Sequence, residues 1–121
     1  MSLREFARER EELNRLVLER GTLVTKRFFN LDWRAYEKGA LDVKTKELLG
    51  LVASTVLRCD DCIRYHAVRL ASLGLTWEEF VEAMDVALVV GGSITIPHVR
   101  RAYRFFKEAL ELKERGELPE L

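Results

Sequence analysis

The sequence predicts an all-α fold, a single compact domain of about six helices spanning residues 1–121. Three observations carry that expectation. Apolar residues recur at helical spacing along almost the whole chain, no segment shows the alternation of a strand, and no internal repeat, low-complexity tract or long linker divides the sequence.

Each element follows in order. Leu3, Phe6, Leu13, Leu16 and Val17 form one apolar stripe in a charged background, an amphipathic helix from Leu3 to Arg20 that Gly21 interrupts or ends. Phe28, Phe29, Leu31, Trp33 and Tyr36 make an aromatic-rich stretch in which Asp32 is placed to cap a short helix stopping at Gly39. Rings at that density serve a core or an interface. Asp42 is placed to cap the next helix, and the run from Leu48 to Leu57 carries no charge on any face, which predicts a helix surrounded by protein. Around Cys59 the chain breaks and restarts, with Asp60 and Asp61 suited to a first helical turn and Gly74 to the stop. Thr76 and Glu79 form a capping box that opens a helix ending near Gly91-Gly92. Ser93 or Thr95 can cap the last helix, with Pro97 tolerated in its first turn, Val99, Tyr103, Phe106 and Leu110 as its stripe and Gly116 as its end.

Composition narrows the function. A chain of this length needs neither a disulfide scaffold nor a structural metal, so its two cysteines are free for chemistry. Twenty Lys and Arg balance twenty Asp and Glu, which argues against nucleic acid or an anionic membrane as the main partner, because both need a basic field. The uncharged runs Leu48–Leu57 and Val86–His98 are shorter than the ~20 apolar residues of a membrane span, so no bilayer crossing is expected. The N-terminus shows no apolar secretory leader, and the expected location is cytoplasmic. The absence of Gln and the excess of Arg (14) over Lys (6) suit a thermophilic source.

In a reducing compartment a C-x-x-C pair reads as redox-active or metal-binding before it reads as a staple. On a helix starting near Cys59, successive steps of about 100° put Cys59, Cys62 and His66 within an arc of about 60°, on the side that also carries Ile63, Leu70 and Leu73. Thiols three residues apart in a first turn can close a disulfide, and a helix N-terminus, a neighbouring His and the flanking Arg58 and Arg64 favour the reactive thiolate. The imidazole one turn on can serve Cys62 as general base. Glu47 is the candidate to orient it, since its helix face is shared with Gly50, Leu51 and Ser54, a small and apolar surface that a second helix can approach closely.

The spacing Glu47-x11-Cys59-x2-Cys62-x3-His66, on two consecutive helices, resembles the signature of the alkylhydroperoxidase D branch of the carboxymuconolactone decarboxylase superfamily. The resemblance runs over roughly residues 41–106 and includes the opening around Asp42 and Lys44, the turn Gly74-Leu75-Thr76-x-Glu78-Glu79 and Gly91-Gly92. It implies a compact all-α fold and thiol-dependent reduction of a peroxide or of a partner's disulfide. Cys59 and Cys62 would be the redox pair, and His66 with Glu47 the proton relay. It also implies no metal or organic cofactor, a dithiol reductant of lipoyl or thioredoxin type, and a homo-oligomer, trimer or hexamer. Two departures stand out: Asp61 occupies a position where hydroperoxidases of this branch often carry His, and the chain is shorter than full members, which resemble two copies of the unit.

Two other readings fit part of the pattern. A carboxymuconolactone decarboxylase-like lyase could use Arg100, Arg101 and Arg104 to frame a pocket for an acidic substrate, although that cluster also reads as a solvated or salt-bridged face. A zinc-binding or structural oligomeric module could use Cys59, Cys62, His66 and Glu47 as ligands, although three ligands on one helix suit a closed tetrahedral site poorly. Tyr65 reads as packing, and His98 as a surface or interface residue with no role in the site.

Overall fold

A computed structural model describes residues 1–121, with six α-helices and no strand. They are α1 (Leu3–Arg20), α2 (Leu23–Ala35), α3 (Val43–Val56), α4 (Asp60–Ser72), α5 (Trp77–Gly91) and α6 (Ile96–Glu114), with a 3₁₀ turn at Ser93–Thr95 before α6. The caps show why the chain breaks where it does. Asp42 accepts the Thr45 N–H at 2.7 Å, and Thr76 and Glu79 form the expected reciprocal box, so one donor at the start of α3 and two at the start of α5 are satisfied locally. Gly74 and Gly116 close α4 and α6 at positive φ, and the N–H of the residue after each returns to a carbonyl in the last turn, Leu75 to Leu70 and Glu117 to Leu112.

Two starts differ from expectation. The aromatic stretch belongs to α2, which begins earlier, capped by Thr22 against Thr25, so Asp32 lies inside the helix and caps nothing. A Thr-x-x-Thr box lacks the Glu or Gln that advertises a start in sequence. Neither Ser93 nor Thr95 caps α6 through its side chain: the 3₁₀ turn leads directly into the helix, and Thr95 Oγ1 donates instead to the Gly92 carbonyl at 2.7 Å. Pro97 does sit in the first turn of α6.

The core gathers around α4, which packs against α3 and α6. Ile63, Ala67, Leu70 and Ala71 of α4 meet Leu51 of α3 and Ala102, Phe106 and Ala109 of α6, all fully buried. On the α5 side, Phe80 stacks on Phe106 with ring centroids 4.4 Å apart, and Trp77 closes the cluster edge-on. Four alanines among these contacts let the backbones approach closely.

Two expectations about burial fail within the chain. Leu51, Ser54 and Thr55 of the uncharged α3 run are buried, but Leu49 and Leu57 are exposed, and a groove of about 680 Å³ between α3 and α5 is lined by residues such as Val52, Val56, Val86 and Val90. Of the α1 stripe only Leu3 and Phe6 are buried, while Leu13, Leu16 and Val17 face solvent. Helix α2 buries no residue at all, with Phe28 at 66% and Trp33 at 61% exposure.

Candidate functional site

Cys59 occupies an unusual junction. It follows Arg58, which sits in the left-handed region at φ 62°, and its N–H returns to the Ser54 carbonyl at 3.0 Å, completing the C-terminal lock of α3. The same residue is the N-cap of α4, its Sγ accepting the Cys62 N–H at 3.3 Å. A position that glycine usually fills is thus held by an arginine, at a cost of about 1–2 kcal/mol, directly before the first cysteine.

Cys59 and Cys62 are joined as a disulfide, with Cα atoms 5.3 Å apart. The expectation that both sulfurs share the buried face of α4 does not hold. Cys59 lies outside the helix as its half-buried cap, and Cys62 is exposed, while Ile63 and His66 turn inward. Wheel angles apply only from Asp60 onward, so the first cysteine cannot be placed by them.

Glu47 and His66 do meet. Their side chains, at 0% and 7% exposure, join α3 to α4, with His66 Nδ1 donating to Glu47 Oε2 at 2.6 Å. The other carboxylate oxygen accepts from Arg69 Nε at 3.2 Å, so both oxygens of this buried acid are bonded. A carboxylate oxygen accepts, so in this pairing Nδ1 carries the proton and Nε2 is the ring nitrogen that Glu47 leaves without a partner. That edge lies against Gly50, where a Cβ would come within 2.7 Å of His66 Nε2 and also of the Tyr36 hydroxyl. The small residue on α3 is therefore a requirement of the close approach that brings imidazole and phenol together.

Tyr36 and Tyr65 flank the imidazole with ring centroids 5.5 and 5.2 Å away. Burial first, and then the Glu47 carboxylate, push both phenols above their usual range, so each keeps its proton at neutral pH. Cys62, His66, Ser54, both tyrosines and Arg64 line a cavity of about 690 Å³ whose far wall is α1.

At the first position of α4, Asp60 accepts from His98 Nδ1 and Arg101 Nε, each at 2.8 Å. Burial pushes the Asp60 carboxyl up, but the His98 hydrogen bond and the Arg101 charge outweigh it and hold the group below the usual carboxylate range. His98 is thus bonded within the fold, and Arg101, one of the three arginines that the lyase reading invokes, is tied to Asp60. No three His, Cys, Asp or Glu side chains converge into a group able to hold a metal ion. The contacts of Arg69, Tyr36 and the Asp60 partners were not signalled in the sequence; Arg69 lies 22 positions after Glu47 and His98 38 positions after Asp60, on different helices.

A helical bundle with a C-x-x-C disulfide at a helix start, backed by a buried Glu–His pair, defines a dithiol protein of the alkylhydroperoxidase D-like kind. The model of the carboxymuconolactone decarboxylase family matches residues 22–115, and the chain belongs to that family. A carboxymuconolactone decarboxylase family protein of Thermotoga maritima, for which a part in an antioxidative response has been suggested, is 62% identical and superposes with a TM-score of 0.91 over 97% of this chain and 99% of its own. A Legionella pneumophila family member is 29% identical with a TM-score of 0.78, covering 89% and 96% of the two chains. The alkyl hydroperoxide reductase AhpD of Corynebacterium kroppenstedtii is 36% identical over 55 residues, 46% of this chain and about a third (32%) of that protein.

Proposed function

We propose that the protein is a thiol-dependent oxidoreductase that reduces a peroxide, or a partner's disulfide, through Cys59 and Cys62. The observation that carries this reading is the disulfide at the α4 start, with exposed Cys62 opening into the cavity that holds the Glu47-anchored His66. In the reduced protein, His66 Nε2 takes the Cys62 proton, and the thiolate attacks a peroxide oxygen. The O–O bond breaks, an alcohol leaves with a proton, and Cys62 becomes a sulfenic acid. The Cys59 sulfur then attacks that sulfur, expelling water and closing the disulfide. An external dithiol of lipoyl or thioredoxin type returns two electrons and two protons, its thiolate attacking the accessible Cys62 sulfur. Tyr36 and Tyr65, protonated and beside the imidazole, exclude water and keep the ring edge aimed at the cavity.

A homo-oligomer, trimer or hexamer, belongs to the same reading. The chain exposes 7921 Å², whereas a folded monomer of this mass is expected to expose about 6,700 Å². The excess sits on α2 and on the α3–α5 groove, where apolar side chains lack partners. A second copy supplies matching apolar surface and closed symmetry.

The test is hydroperoxide turnover with dihydrolipoamide as donor, beside Cys59→Ser and Cys62→Ser. The wild type should turn over. Cys62→Ser should consume no peroxide, and Cys59→Ser should consume one equivalent and stop as a sulfenic acid. Absence of any thiol-dependent turnover of peroxide or disulfide, with both thiols inert to alkylation, would reject the reading.

A further inference from the structure

The Asp60 cluster opens α4 directly after Cys59 and has no part in the relay. A cysteine thiolate at a helix N-terminus is stabilised by the same positive end that attracts carboxylates, and α4 places two carboxylates there. Both are offset, in different ways. Asp61 is exposed and paired along its own helix with Arg64 at 3.0 Å. Asp60, directly bonded in sequence to Cys59, is reached from α6, 38 and 41 residues away, by His98 and Arg101. Its side chain is 30% exposed against 78% for Asp61, so solvent screens its charge less, and an uncompensated Asp60 would act strongly on the neighbouring sulfur.

We propose that Asp60, His98 and Arg101 form a charge-balancing cluster that sets the thiol–disulfide equilibrium of Cys59–Cys62, with His98 and Arg101 as positioning residues that hold and offset the Asp60 carboxylate at the first position of α4, one residue after Cys59. The inference rests on the redox reading above and goes beyond it, because it assigns the equilibrium to residues that touch neither substrate nor thiol. In exchange with glutathione, two glutathione thiols reduce the protein disulfide. The Cys59–Cys62 bond breaks as the glutathione disulfide forms, and the two protons pass to the cysteines or, for a thiolate, to solvent. Negative charge beside Cys59 disfavours the dithiol side through its thiolate, and positive charge favours it.

The experiment measures the equilibrium constant for reduction by glutathione at one fixed pH and salt concentration, in the full chain. Arg101→Gln should lower it about three- to tenfold, the upper value corresponding to about 30 mV. His98→Ala should lower it less, and Arg101→Lys should stay near wild type. Asp60→Asn should raise it by a similar factor, and the double variant Asp60→Asn with Arg101→Gln should return to within about twofold of wild type, since the two charges cancel. A merely structural clasp predicts that all these variants move one way, with the double variant moving furthest. That pattern, or constants unchanged throughout, overturns the proposal while leaving the redox reading intact. A wild-type disulfide that neither glutathione nor dithiothreitol opens to two thiols overturns both.

Discussion

Two regions of the molecule, the N-terminal pair α1 and α2 and the packed pair α4 and α6, both use amphipathic helices and reach opposite outcomes. Helices α4 and α6 bury nearly every apolar residue of their inward faces, whereas α2 buries none and α1 only Leu3 and Phe6. The difference is supply of partners. Helix α4 lies between α3 and α6 and finds apolar surface on both sides, while α2 meets little beyond the side chains of α1 and the mouth of the site. An apolar stripe therefore records a demand for burial without saying whether the same chain meets it.

That contrast can be broken first in the packed region. Phe106→Ala removes a ring stacked on Phe80 at zero exposure and should destabilise the fold by about 3–5 kcal/mol. Urea unfolding at fixed protein concentration measures it. On the open side, Trp33→Ala should change unfolding of the single chain by no more than about 0.5 kcal/mol; a loss as large as that at Phe106 would mean that α2 packs within the chain after all. Charge is the sharper probe of that surface. Leu31→Glu together with Trp33→Glu should weaken the proposed assembly by about 3 kcal/mol, seen by light scattering as dissociation, while far-UV circular dichroism stays helical. Intact oligomers in this variant would move the interface elsewhere.

Between the two regions lies the Glu47 pair. Glu47→Gln keeps the shape but withdraws the charge facing His66 and Arg69, so Cys62 alkylation in the reduced protein near neutral pH should slow about tenfold, or about 1.4 kcal/mol. An unchanged rate in both Glu47→Gln and His66→Ala would disconnect the pair from the thiol. The smallest effect concerns the α4–α6 clasp. Asp60 is held below its ordinary carboxylate range, so its contribution to stability is complete above the unfolded-state value and is lost as pH falls through the lower folded-state value. The stability difference between wild type and Asp60→Asn should therefore shrink on acidification below about pH 4, as followed by melting temperature against pH. A constant difference would show that the carboxylate's ionisation contributes nothing.

What the sequence made legible was local. Helical period gave the all-α class, and Asp42, Thr76, Gly74 and Gly116 marked ends that the backbone confirms, because caps act within four residues. The meeting of Glu47 and His66 could be anticipated because the small face around Gly50 permits it. The early start of α2 was hidden by a Thr-Thr box, and the place of Cys59 by treating it as helical when it is a cap. Arg69, Tyr36, His98 and Arg101 depend on how helices are rotated against one another, which periodicity leaves open. The uncharged α3 run illustrates the same limit, since half of its circumference is turned to a groove with no occupant in the chain.

Because Cys59 both locks the end of α3 and caps α4 through its sulfur, the oxidation state of one atom is written into the environment of a backbone amide. The Cys62 N–H faces a disulfide sulfur in one state and a thiol or thiolate in the other. Its resonance in a nitrogen-edited NMR spectrum should therefore act as an unlabelled gauge of the dithiol. Such a gauge would let the redox poise of the protein be followed inside a living cell, with no dye and no added cysteine.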